Sequence, residues 1–214
     1  MADYTSSFPD EATPADGALF DSDRFVAGPG SWATVLTTTG ACYTGVPDTY
    51  CAFRLSTSSP GGTVDNNQYA KCTIAGIGAS RWFGPAVRIQ GTGASQGACY
   101  HVEVNETTDF KVYRVSDAGS IVQNLLATIS FTPANGQVVE LRAIGPVLQL
   151  LVDGIQRGAS ITDTTLTGGH PGGWFFAGAS TANMTDWTGG DLFLDTFMYN
   201  PETVFETEYS LAIV

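Results

Sequence analysis

Along residues 138–174 apolar and polar positions alternate with a period of two: Val139, Leu141 and Ala143 in one run, then Val147, Leu148, Leu150 and Val152 in the next. Ile144-Gly145-Pro146 joins the two runs, and an Asp153-Gly154 turn closes the second. Alternation bounded by Gly, Pro and Asp is the pattern of half-buried antiparallel strands linked by tight turns. A threonine-rich loop and a Gly-His-Pro-Gly-Gly breaker follow, leading into an aromatic strand at Trp174. Shorter runs of the same kind occupy residues 68–77, 83–89, 98–104, 110–115 and 190–197. No stretch holds a 3.6-residue period beyond a turn or two. The pattern predicts an all-β, two-sheet antiparallel sandwich of jelly-roll type, with about 12–15 short strands and little helix.

Three regions organise the chain. Residues 1–17 form a polar arm with two prolines, expected to be extended and pinned to a neighbour or to the body. Residues 18–199 form the sandwich, with loops expected at 56–67, 91–97 and 180–190. Residues 200–214 end in Leu211-Ala212-Ile213-Val214. Such an apolar end suits either a last strand or an element that docks on a partner.

The order of the runs is more specific than any one of them. ALFDSDRF at residues 18–25 with Trp32 after it, QYAKCTIAGI at 68–77, FGPAVRI at 83–89, the "ELRA.G" and "VDG" strand ends, the DTTLTGG loop and GDLFLDTF resemble the concanavalin A-like lectin/glucanase sandwich in its laminin-G-like branch. That resemblance implies a sugar- or protein-binding scaffold that is only sometimes an enzyme. It also implies a structural calcium near the chain's entry and exit, with Asp21, Asp23 and Asp195 as hard oxygen ligands. The plainer reading of those aspartates is that they cap loop N–H groups. No other cofactor is expected.

Composition narrows the classes of partner. Acidic residues outnumber basic ones 21 to 9, a net charge of −12, and charged residues are only 14% of the chain. A field of that sign repels nucleic acid and anionic membranes, and no Lys/Arg cluster offsets it. The N-terminus has neither a basic region nor an apolar one, so no signal peptide is expected. No apolar run approaches the roughly 18 residues that span a bilayer. The expectation is synthesis in a host cytoplasm.

The cysteines allow several readings. Cys42 and Cys51 flank a turn-like stretch and suit a pair across a hairpin; the resemblance places Cys72 and Cys99 on neighbouring strands. Four cysteines allow three pairings, and four buried thiols are the alternative.

Catalytic constellations are sparse. Glucanases of the family resembled carry carboxylates at alternate positions of one strand, so that acid, base and orienting group share a face. Asp191 and Asp195 do not match that spacing, and Glu103 and Glu106 straddle a predicted strand end. Neither histidine, His101 or His170, belongs to a nucleophile motif. Sugar binding calls for an exposed indole beside short polar groups. Trp187, flanked by Asn183 and Asp186, is the first candidate and Trp82 the second, whereas Trp32 and Trp174 read as core.

These features point to a non-enzymatic structural, decoration or fibre-type subunit of a phage-like virion. Its partners would be other virion subunits, with homo-oligomerisation, and its sandwich would serve as an exposed, glycan-adhesive knob. A free-standing carbohydrate-binding module is the alternative, and a glycoside hydrolase a more distant one.

Overall fold

In a computed structural model, residues 4–6, 25–27, 35–38, 41–44, 49–55, 66–77, 81–90, 98–104, 108–117, 121–177 and 184–192 are described. Among these residues the chain forms fifteen strands and no helix: β1 (Tyr4–Ser6), β2 (Phe25–Ala27), β3 (Val35–Thr38), β4 (Ala41–Thr44), β5 (Thr49–Leu55), β6 (Gln68–Ile74), β7 (Arg81–Ile89), β8 (Cys99–Val104), β9 (Phe110–Asp117), β10 (Ile121–Ile129), β11 (Val138–Ile144), β12 (Val147–Val152), β13 (Ile155–Thr162), β14 (His170–Ala177) and β15 (Met184–Asp191). They build two antiparallel sheets. The first runs β13-β12-β11-β6-β15-β4-β3, and the second β10-β9-β8-β7-β14-β5-β2. The expected two-sheet sandwich is therefore the fold.

Alternation decides which side chains meet between the sheets. Ala70, Cys72 and Ile74 of β6, Val139, Leu141 and Ala143 of β11, and Leu148, Leu150 and Val152 of β12 face Phe83 and Val87 of β7, Tyr100, Val102 and Val104 of β8, and Phe110 and Val112 of β9. These form one buried cluster drawn from both sheets. Fully burying side chains of this size stabilises by about 1.5–3 kcal/mol each relative to exposure.

The N-terminal segment joins this body. Tyr4–Ser6 pair with Gly189, Thr188 and Trp187 of β15, next to the point where Cys42 of β4 pairs with Met184. β1 thus occupies the length of the β15 edge that β4 leaves open. The C-terminal segment 200–214 lies outside the described residues.

Two stretches differ from the expected loops. Residues 155–162, between the Asp153-Gly154 turn and the threonine-rich loop, form β13, an edge strand paired with β12, while DTTLTGG at 163–169 is a loop as expected. The residues of β13 are exposed or half-buried, with Ile161 packed against the core, so little alternation marks it. A bulge between its pairings with Leu148 and Leu150 contains Gly158 at φ 71°. A Cβ there would lie 2.9 Å from Ile129 Cγ1 of β10, so the sandwich edge closes over a glycine. Residues 184–190, expected in a loop, belong instead to β15.

The cysteine pairings are also corrected. Cys42 sits in the first sheet and Cys51 in the second, so they do not face each other across a hairpin. Cys72 and Cys99 are both buried and unbridged, one between the sheets and the other on the far side of the second sheet. Burial raises both thiol pKa values, that of Cys99 to about 12, so both stay protonated and inert.

Candidate functional site on the outer face of the second sheet

The second sheet carries a second buried cluster on its face turned away from the first sheet. Period-two alternation places it: Tyr100, Val102 and Val104 of β8 enter the inter-sheet core, so Cys99, His101 and Glu103 point the other way. Ala52, Ala86, Ile89, Cys99, Val115 and Trp174 pack there, with half-buried Trp82 against them.

Register arranges the face in rows. One row runs Arg54, Gly172, Ala86, His101, Tyr113 across β5, β14, β7, β8 and β9. The adjacent row contains Ala52, Trp174 and Gly84, with Glu103 and Lys111 beyond. Gly84, Ala86 and Gly172 leave the middle of the sheet low. β14 and β8 stand two strand spacings apart, about 10 Å. Trp174 and His101 nonetheless lean together over β7, their ring centroids 3.9 Å apart at an interplanar angle of 24°. Tyr113 continues the stack on the other side of His101, at 5.4 Å and 13°.

Polar groups edge this aromatic stack under strong desolvation. His101 is 0% exposed and neither ring nitrogen has a partner; burial drives its pKa down to about 3, so it is neutral. Burial pushes Glu103 up to about 7; nearby Asp109 adds to the rise and Lys111 opposes it. Arg54 is buried with no partner on Nε, and His170 has none on Nδ1. Burial, then the charge of Arg54, lowers the His170 pKa. Orphaned buried polar atoms are rare in folded proteins, and three residues on one sheet face carry them.

The site predicted from the sequence is arranged differently. Trp187 lies at 0% exposure between the sheets and donates from Nε1 to the Gly172 carbonyl at 2.9 Å. That bond fixes it in the inter-sheet core, away from the outer face; Trp174 is equally buried, as its reading as a core residue implied, but in the outer-face cluster. The cause of the Trp187 placement is a bulge in β15 between Thr185 and Thr188, with Asp186 at φ 49°, which turns the indole inward while Asp186 stays exposed. Asn183 lies outside the described residues, as do Asp21, Asp23 and Asp195. Among the described residues no group of three or more His, Cys, Asp or Glu is placed to hold a metal ion. Trp82 is on the outer face. His101, Arg54, Glu103 and His170 were not anticipated. The one sequence signal for them was the polar alternate set Cys99, His101, Glu103 within an otherwise apolar strand.

A separate network fixes the loop beside this sheet. β7 bulges where Ala86 and Ile89 pair with Gly172 and His170, and Arg88 takes φ 55° there. Its buried guanidinium donates to the carbonyls of Leu166 at 2.7 Å, Asn66 at 2.9 Å and Gly145. The Tyr100 hydroxyl donates to Asp163 Oδ1 at 2.8 Å and accepts from Leu166 N at 3.0 Å. Arg114 pairs with Asp163 Oδ2 at 2.5 Å. Burial pushes the Asp163 carboxyl up, but hydrogen bonds from Thr165 and Tyr100 and the charge of Arg114 outweigh it and hold it below the usual range.

No protein-family model and no curated protein matches the chain. Solved structures do match its fold. A protein of unknown function with a galectin-like fold from Bacillus subtilis shares 10% identity over 89% of this chain and 96% of its own, with a TM-score of 0.57. A β-1,3-1,4-glucanase (lichenase) from a mouse hindgut metagenome matches at 10% identity, 89% and 99% coverage, and a TM-score of 0.53. The exoplasmic/lumenal domain of VIP36, in a Ca2+/Man3GlcNAc-bound form, matches at 10% identity, 83% and 89% coverage, and a TM-score of 0.50. The fold is the concanavalin A-like or galectin-like sandwich. It hosts both a glucanase and a sugar-bound domain, so function rests on the residues of the site.

Proposed function

We propose that the protein is a non-enzymatic, lectin-like subunit that binds glycan on the outer face of its second sheet. The observation that carries this reading is the Trp174–His101–Tyr113 stack, edged by Arg54 and Glu103 and including two ring nitrogens of His101 with no partner. Aromatic faces take the C–H faces of pyranose rings, and a neutral imidazole offers one donor and one acceptor to sugar hydroxyls. Trp174 and His101 are themselves fully buried, so half-buried Tyr113, Trp82 and His170 are the parts of this face nearest to solvent.

Hydrolysis is disfavoured by the make-up of the face. Glycosidases of either stereochemistry flank the scissile bond with two carboxyl groups at a set separation. On the three central strands β14, β7 and β8, Glu103 is the one carboxylate among the described outward positions, which otherwise carry Gly, Ala, Cys, His, Ile and Trp. A glycan array followed by reducing-end assays on each bound glycan tests the proposal. The expected result is binding without release of reducing ends. Turnover abolished by Glu103→Gln would make the protein a hydrolase.

The proposed setting is an exposed knob on a phage-like particle. The net charge of −12 and the addition of Tyr4–Ser6 to β15 support it, since a terminal strand that completes its own sheet can equally complete a neighbour's. Co-sedimentation with a high-mass particle is the expected observation. A chain that sediments alone and monomeric contradicts the setting while leaving the glycan site intact.

A further inference from the structure

We infer that the glycan this face takes is acidic, with a sugar carboxylate held by Arg54 and His170. The inference rests on the glycan-binding reading and adds the chemical class of the ligand.

Arg54 is 5% exposed, and its cross-strand neighbours are Val26 and Gly172, neither of which is acidic. Among the described residues its guanidinium forms no ion pair, and its Nε has no hydrogen-bond acceptor. A desolvated guanidinium without a counter-charge is costly to hold, and a bound anion removes that cost. His170 lies close enough for the Arg54 charge to act on it, and its Nδ1 is also without a partner. Arg54 pairs with Gly172, two residues along β14 from His170, so both nitrogen groups lie at the β5–β14 end of this face.

The geometry favours a carboxylate on a ring. A guanidinium fork matches the two oxygens of a planar carboxylate, which a neutral hydroxyl cannot do. Arg54 and His101 stand three strand spacings apart, about 14 Å, across the side-chain-poor positions Gly172 and Ala86. Gly172, Ala86 and His101 are buried along that row, so a sugar whose carboxylate meets Arg54 must enter past half-buried His170 or Tyr113. The whole-molecule charge of −12 works against any anion, so selectivity must come from this local contact and not from long-range steering.

The test is an array of uronate- and sialate-bearing oligosaccharides printed beside their methyl esters, followed by calorimetry on the best pair. The acid form should bind at least tenfold more tightly than its ester. Arg54→Gln should abolish the preference for the acid over the ester, with a circular dichroism spectrum like the parent's confirming the fold. His170→Gln should produce a smaller loss, and Arg54→Lys should keep part of the preference. Equal binding of acid and ester overturns the inference while upholding the glycan site. Acetate or sulfate competing as effectively as the sugar acid also overturns it, as an adventitious ion only. Failure to bind any glycan overturns both readings.

Discussion

The imidazole of His101 stacks on the indole of Trp174 at 3.9 Å although their strands are not neighbours. The strand between them, β7, contributes Gly84 and Ala86 at this level and so raises no side chain to separate the rings. Gly84 has a second reason to lack a side chain. A Cβ there would lie 2.2 Å from the Val102 carbonyl oxygen of β8.

Gly84→Ala is therefore expected to force β7 and β8 apart. The predicted loss is about 1–3 kcal/mol, the usual range for overpacking, read from the urea midpoint. An unchanged midpoint would show that the two strands can separate without cost.

His101 and Glu103 should leave opposite marks on the pH dependence of stability. The His101 pKa is depressed to about 3 from 6.5, so its contribution is full above 6.5 and is lost as pH falls towards 3. The Glu103 pKa is raised to about 7 from 4.5, so its contribution is full below 4.5 and is lost as pH rises through 7. Between 4.5 and 6.5 the two slopes oppose each other. Denaturant titrations should show Glu103→Gln steepening the rise of stability with pH in that window, and His101→Phe reversing it. Parallel profiles for both variants and the parent would remove these groups from the buried face.

Arg88 answers three carbonyls at once, those of Leu166, Asn66 and Gly145. Arg88→Met should leave them without donors in a buried setting and cost about 3 kcal/mol or more, given roughly 1.5–3 kcal/mol for each bond to a charged group. Arg88→Lys should recover little, because a compact ammonium cannot span the fork. Full recovery by lysine would mean that charge alone, without the fork, holds the loop.

The sequence made the interior strands legible and left the borders obscure. β11 and β12 bury one face each, so Val139, Leu141, Ala143, Leu148, Leu150 and Val152 display the period directly. β13 and β10 are sheet edges with Ile155, Val122 and Leu125 exposed and little beyond Ile129, Leu126 and Ile161 turned to the core, so they write only a weak alternation. Trp187 was misread for a local reason. A bulge at Asp186 shifts the alternation within β15, and neither a bulge nor a φ of 49° has a sequence signature at aspartate. The outer-face site depends on registers between strands distant in sequence, Arg54 with Gly172 and Ala86 with His101, which no local pattern encodes.

Trp187 and the outer-face aromatics should consequently separate in function. Trp187→Ala should cost about 3–5 kcal/mol of stability, as for other large core side chains. At temperatures where the variant remains folded, its affinity for glycan should equal that of the parent. A loss of affinity with stability intact would return Trp187 to the binding face.

The most direct test of the central claim is a nitrogen–proton correlation spectrum of the four tryptophan indoles during glycan titration. The account predicts that the Trp174 and Trp82 resonances move in a saturable way while that of Trp187, bonded to the Gly172 carbonyl between the sheets, stays in place. A spectrum in which Trp187 shifts and the outer-face pair does not would contradict the account.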